Sequence, residues 1–159
     1  MNMKARLSDD LKDAMRARDE LRRNVLRSVL TAISTAEIAR VNVKDASASR
    51  RELADAEVLD VLRKQAKQRR ESAEEYRKGG RSDLADREEA EAAIITAYLP
   101  QELSRDEIVA EIRAVIAETG ASGARDKGKV MPAAMARLRG RADGRTVNEV
   151  VTELLAGGT

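Results

Sequence analysis

The residues in this sequence best suited to do chemistry are cations. Arg125, Lys127, Lys129, Arg137, Arg139, Arg141 and Arg145 fall in one stretch that holds only two acids, Asp126 and Asp143. Guanidinium and ammonium groups gathered near helix ends attract phosphate, and the open amides of a helix start or a glycine hinge meet the same anion. The hinge here is Gly140 with Asp143-Gly144, where glycine lets a backbone come close to a ligand. The same run also reads as a solvated face on a charge-rich chain, and the pattern alone leaves both readings standing. No aromatic residue lies in it, so base stacking is not expected, and direct base readout is not indicated.

Other chemistries are thinner. The chain has no Cys and no His, which removes disulfides, thiol nucleophiles and every imidazole role in catalysis or metal binding. Asp86, Glu88, Glu89 and Glu91 are oxygen donors, but no ligand loop accompanies them, and acids early in a helix are favoured by its dipole. Gly128-Lys129-Val130 lacks the spacing of a phosphate loop and follows no strand, so Gly128 reads as a helix-entry glycine. Lys64, Lys67, Gln68, Arg69, Arg70 and Ser72 line one long helix, either as a partner surface or, the preferred reading, as an exposed face balanced by a nearby acidic helix. Tyr76 and Tyr98 read as amphipathic residues at the core edge. No metal and no cofactor is expected.

The elements that must position these groups are helices. The 159 residues include two Tyr and no Phe or Trp, and 36% are charged, so any core must be built of Leu, Ile, Val, Met and Ala between helices. The net charge of +2 is too small to imply a nucleic-acid partner by itself, but the charge is banded. Arg63 to Arg81 holds eight bases against three acids, whereas Ser82 to Glu118 holds three bases against ten acids. The N-terminus carries no apolar core of signal-peptide type and no run approaches membrane-spanning length, which leads to the expectation of a soluble cytoplasmic protein with no membrane partner.

Taken in order, Lys4 to Arg18 predicts a helix with Leu7, Leu11, Ala14 and Met15 on one stripe. Asp19 is placed to cap a second helix whose wide apolar face runs from Leu21 to about Ile38. Asn42 to Arg50 reads as a polar loop. Leu53 to Lys78 is the longest periodic run and closes at Gly79-Gly80. Ser82 or Asp83 is expected to cap a helix from Leu84 to Leu99, which Pro100 stops. A domain boundary is expected there, dividing 1–99 from 100–159. Beyond it, Ser104 and Glu107 predict a capping box with Leu103 and Ile108 as its staple. Pro132 is expected in the first turn of the next helix and Thr146 with Glu149 as a second capping box.

Three phrases carry a family resemblance: LKDAMRARDELRRNVLRSVLTAI, KQRRESAEEYRKGGRSDLADREEAEAAIITAYLPQELS and GKVMPAAMARLRGRADGRTVNEVVTELL. Together they make the chain resemble the YqeY-like proteins of the GatB/YqeY family. The resemblance implies an all-α protein, an N-terminal helical bundle followed by a small three-helix domain similar to the tail of the tRNA amidotransferase B subunit. In that enzyme the tail holds tRNA and the carbon-nitrogen ligase chemistry, with glutamine as amido donor, sits in a separate catalytic cradle. Gly128, Lys129, Val130, Met131, Met135, Gly140, Gly144 and Val151 match the tail motif, and none of them is a catalytic residue. This chain has nothing resembling the cradle, so ligase activity by the chain alone is not implied.

The expectation is therefore a non-catalytic module that binds tRNA or a tRNA-handling protein, with Lys127, Lys129, Arg137, Arg139, Arg141 and Arg145 on phosphates and Gly140 and Gly144 letting the backbone approach. Two alternatives stand beside it. One is an accessory subunit of a glutamine-dependent aminoacyl-tRNA amidotransferase, and the other is a helical scaffold that docks a partner along the helix from Leu53 to Lys78.

Overall fold

The computed structural model describes residues 2–39 and 51–157, and all regular structure in them is helical. The expected loop from Asn42 to Arg50 lies outside the described residues. The chain divides into two compact units, Met1–Leu99 and Pro100–Thr159.

The first unit holds α1 (Met3–Arg16), α2 (Glu20–Ala39), α3 (Asp55–Lys78) and α4 (Ser82–Thr96). Its core is aliphatic, as the composition requires. Leu7 of α1, Val25, Leu26, Val29 and Ile33 of α2, Val58, Leu62 and Ala66 of α3, and Ile95 of α4 are all buried in one cluster. Tyr98 closes it after α4. The far half of the α3–α4 hairpin is built differently, with Ala73, Ala85 and Ala92 buried. Alanines spaced by seven, at 66 and 73 on α3 and at 85 and 92 on α4, keep one face of each helix small and allow close approach. Cations of α3 then latch the hairpin from outside. Arg69 Nε meets Glu91 at 3.1 Å while its other nitrogens reach Ser28 Oγ and Gln65, and Arg77 meets Glu89 at 2.6 Å. Arg69 is thus an internal strut between α2, α3 and α4 and not an open partner surface.

One buried charge sits in this unit. Glu37 is 1% exposed and accepts from Lys4 Nζ at 2.8 and 3.0 Å and from the Leu53 amide at 3.3 Å. The Met3 amide donates to Asp55 at 2.9 Å, so the start of α1 is fastened both to the end of α2 and to the start of α3. One residue further on, Ile38 is 58% exposed, because a step of one on a helix turns the side chain by about 100°.

Helix ends differ from the sequence expectations in five places. Asp19 does cap α2, accepting from the Arg22 amide at 3.0 Å. Before it, however, α1 ends at Arg16 and Arg18 takes φ 57, with Asp19 N–H bonded to Ala14 and Arg18 N–H to Met15. This is the glycine-type closure that Gly80 and Gly120 make after α3 and α5 (Arg105–Thr119), here adopted by an arginine. Replacing Arg18 by Gly is expected to raise stability by about 0.5–1 kcal/mol in urea denaturation, the left-handed penalty less the entropy that glycine adds to the unfolded chain.

Neither Ser82 nor Asp83 is the cap of α4. Arg81 holds that position, and its guanidinium grips Asp83 at 3.1 Å. The hydrogen bond from Arg81 pulls the Asp83 carboxyl below its ordinary range. Nor does the helix reach Leu99, since its regular turns stop at Thr96 and Tyr98 turns inward.

The second unit holds α5, a one-turn 3-10 helix at Ala124–Asp126, α6 (Lys127–Leu138) and α7 (Gly144–Ala156). Ser104 and Glu107 form the expected capping box, with the Ser104 amide 2.8 Å from the Glu107 carboxylate. That amide, and then the Ser104 hydroxyl, lowers the Glu107 carboxyl. Pro132 is not in a first turn, because the 3-10 turn runs directly into α6 and starts it at Lys127. The second capping box is also absent. Asp143 precedes α7 without a side-chain cap bond, and Glu149 faces Arg105 and Arg145 instead. Ile108, Ile112, Val115, Val130, Ala134, Leu138, Val147, Val150, Val151 and Leu155 form the core of this unit.

Candidate nucleic-acid interface

The seven cations from Arg125 to Arg145 do not form one patch. Helix α6 is 12 residues long, so its rise of about 1.5 Å per residue sets Lys129 and Arg139 roughly 15 Å apart along the axis. Arg125, Lys127 and Lys129 lie at its start. There the Ser122 amide donates to Asp126 at 2.9 Å and holds that carboxyl low, with the Lys129 charge adding to the effect. Arg137, Arg139, Arg141 and Arg145 lie at its other end, around the turn into α7.

Within that second group the roles separate. Arg137 reaches back to α5, with Nε 2.6 Å from Glu111 and NH1 2.8 Å from Glu118. The hydrogen bond it donates to Glu111, followed by that to Glu118, raises its pKa, so this guanidinium is already held by two carboxylates. Arg139 ends α6 and Gly140 follows at φ 80, a left-handed turn that suits glycine. The turn is then fixed by backbone bonds: Arg141 N–H donates to Leu138 at 2.9 Å and the Arg141 carbonyl accepts from Leu103 N–H at 2.8 Å. Among the described residues the Arg141 guanidinium makes no ion pair, although its charge is felt at Glu107. The Arg145 side chain is 84% exposed and pairs with Glu149 at 3.4 Å on its own helix.

Gly144 packs against the end of the Met135 side chain. A Cβ there would stand 3.3 Å from Cε of Met135, which lies across the start of α7. The corner thus consists of three arginines, 139, 141 and 145, on a backbone fixed by hydrogen bonds, beside a helix start that no side chain caps. Such an arrangement offers point charges and open amides to an oxyanion. Elsewhere, among the described residues, no group of three or more acids is placed to hold a metal, and no helix is long and apolar enough to cross a membrane.

Two features missed in the sequence bear on the site. The carboxylates that hold Arg137 lie 19 and 26 residues away on α5, where only tertiary structure reveals them. Met135 is 41% exposed, and its place over Gly144 is likewise a contact between helices.

The fold is all-α, and the corner gathers three arginines at a turn between two helices. The chain belongs to the YqeY-like family: the family model described as Yqey-like protein matches residues 4–155. Among curated relatives, the "Altered inheritance of mitochondria protein 41, mitochondrial" of Lachancea thermotolerans is 40% identical over 97 residues, 61% of this chain and 48% of that protein. The protein of the same name from Kluyveromyces lactis is 35% identical over 117 residues, 72% of this chain and 58% of that protein. The chain spans about half the length of the curated relatives it matches. These relatives are mitochondrial by name, which overturns the expectation of a cytoplasmic protein. The physical ground for that expectation was weak, because segments that direct proteins to the organelle are amphipathic and basic and carry no apolar core.

Proposed function

We propose that the chain is a non-catalytic module that holds tRNA, or an RNA of similar fold, by its phosphates through the corner between α6 and α7. The observation that carries this reading is the placement of Arg139, Arg141 and Arg145 within seven residues on a hydrogen-bonded turn, next to the uncapped start of α7. Arg137 is left out of the contact set, since displacing it from Glu111 and Glu118 would cost two ion pairs. Lys127 and Lys129 belong to a separate, weaker contact at the far end of α6. Charge without aromatic side chains gives binding that follows shape and phosphate position and not base sequence.

A filter or electrophoretic assay with unmodified tRNA tests this. Binding is expected at low salt, weakening steeply at moderate salt, and changing Arg139, Arg141 and Arg145 together to Ala is expected to reduce affinity by about tenfold or more. No binding by the parent chain, or equal binding by the triple variant, overturns the reading.

A further inference from the structure

The first unit contains a second cationic site, unrelated to the RNA corner. Arg6 and Asp10 of α1, Arg22 of α2, and Ile94, Ala97 and Tyr98 at the end of α4 line a cavity of about 230 Å³. Tyr98 is 7% exposed, and a buried phenol needs a partner for its hydroxyl. Asp10 accepts a hydrogen bond from that hydroxyl, and Arg22 approaches both the Asp10 carboxylate and the Tyr98 oxygen at 3.5 Å. Asp10 is thus taken up by Tyr98 and Arg22.

Arg6 stands four residues before Asp10, the spacing at which an arginine and an aspartate on one helix usually pair. It does not pair. Its guanidinium lies over the Tyr98 ring, 5.0 Å from the centroid, and among the described residues its side chain has no ion pair and donates no hydrogen bond. The cation–π contact fixes the plane of the guanidinium while leaving its N–H groups open at the cavity mouth. Arg22 is shared between Asp10 and the nearby charge of Asp19, which leaves Arg6 as the cation without an acid, set beside an apolar wall of Ile94 and Ala97.

We infer that this cavity binds a single oxyanion head group, a phosphate or a carboxylate, by the forked donors of Arg6 with Arg22 beside it. The volume supports one head group. It is below the roughly 300–1,000 Å³ of sites that enclose a whole cofactor.

The test is side-chain NMR of the full chain, following the arginine Nε–H signals and the Tyr98 ring during titration with sodium phosphate, sodium acetate or sodium chloride at matched ionic strength. Saturable shifts of Arg6 and Arg22 with phosphate, with acetate or with both are expected, and chloride is expected to give none. The stronger of the two anions identifies the head group. Arg6→Gln is expected to weaken binding by about fivefold, with Arg6→Lys in between, because the charge returns without the fork. Equal, unsaturated drifts in all three salts mean simple screening and overturn the inference. Saturation at the parent affinity in Arg6→Gln overturns it as well. Arg6 is exposed, and an unchanged melting temperature of each variant ties the loss to binding and not to folding.

Discussion

Ala66→Leu is expected to destabilise the first unit by about 3 kcal/mol, lowering its melting temperature by more than about 10 °C in calorimetry. Ala66 is 1% exposed and belongs to the cluster that joins α1, α2 and α3. A leucine adds three carbons where interiors are close-packed, and Leu62, Ile33 and Ile95 of the same cluster are themselves fully buried. Ala85→Leu makes the informative comparison. Ala85 is equally buried but lies near the Gly79-Gly80 turn, outside the joint cluster, where the hairpin can open to admit the larger side chain. Its cost is expected to be smaller, about 1–2 kcal/mol. Equal costs would mean that the alanine-faced end of the hairpin is as rigid as the core.

Glu37→Ala is expected to cost a similar amount, about 3 kcal/mol, for different reasons. The substitution removes the acceptor of the buried Leu53 amide, empties a fully buried volume and frees Lys4. Lys4 keeps 30% of its side chain in solvent, so its loss of a partner adds little and the estimate stays at the low end for a broken buried pair. Glu37→Gln keeps the volume and an acceptor for Leu53 while discarding the charge, and is expected to cost about 1 kcal/mol. Urea denaturation of both variants checks the order; a glutamine variant as unstable as the alanine variant would show that the charge matters more than the amide bond and the volume.

The parts of this fold that were legible in the sequence are those whose causes are local. The capping box at Ser104 and Glu107, the cap at Asp19 and the apolar stripes of α2 and α7 each depend on residues a few positions apart. The all-α class followed from the same periodicities. The alanine seam of α3 and α4 was not legible, because alanine carries little hydrophobic signal and the early face of α4 reads as polar. Glu37 was unreadable for another reason: a glutamate in an apolar helix face declares its burial only when a lysine 33 residues away comes to meet it. Arg18 shows a limit of turn chemistry, since a conformation that favours glycine is here adopted by an exposed arginine within the backbone bonds that close α1.

The candidate site divides along the same line. Counting cations found the basic stretch, but could not sort it. Arg137 is held by two acids of α5 whereas Arg141 makes no ion pair among the described residues, and Gly140 takes a left-handed turn whereas Gly144 does not. Sorting them reduces the proposed contact set from a diffuse basic band to three arginines on one turn.

That reduction is what the salt dependence of RNA binding measures most directly. With three phosphate contacts at the corner, the slope of log K against log salt for tRNA is expected to fall in magnitude by about three when Arg139, Arg141 and Arg145 are changed to Ala, each contact contributing about one. Arg137→Ala is expected to leave the slope as it was. A slope that the triple variant does not change, or that Arg137→Ala reduces as much as any corner arginine, contradicts the account.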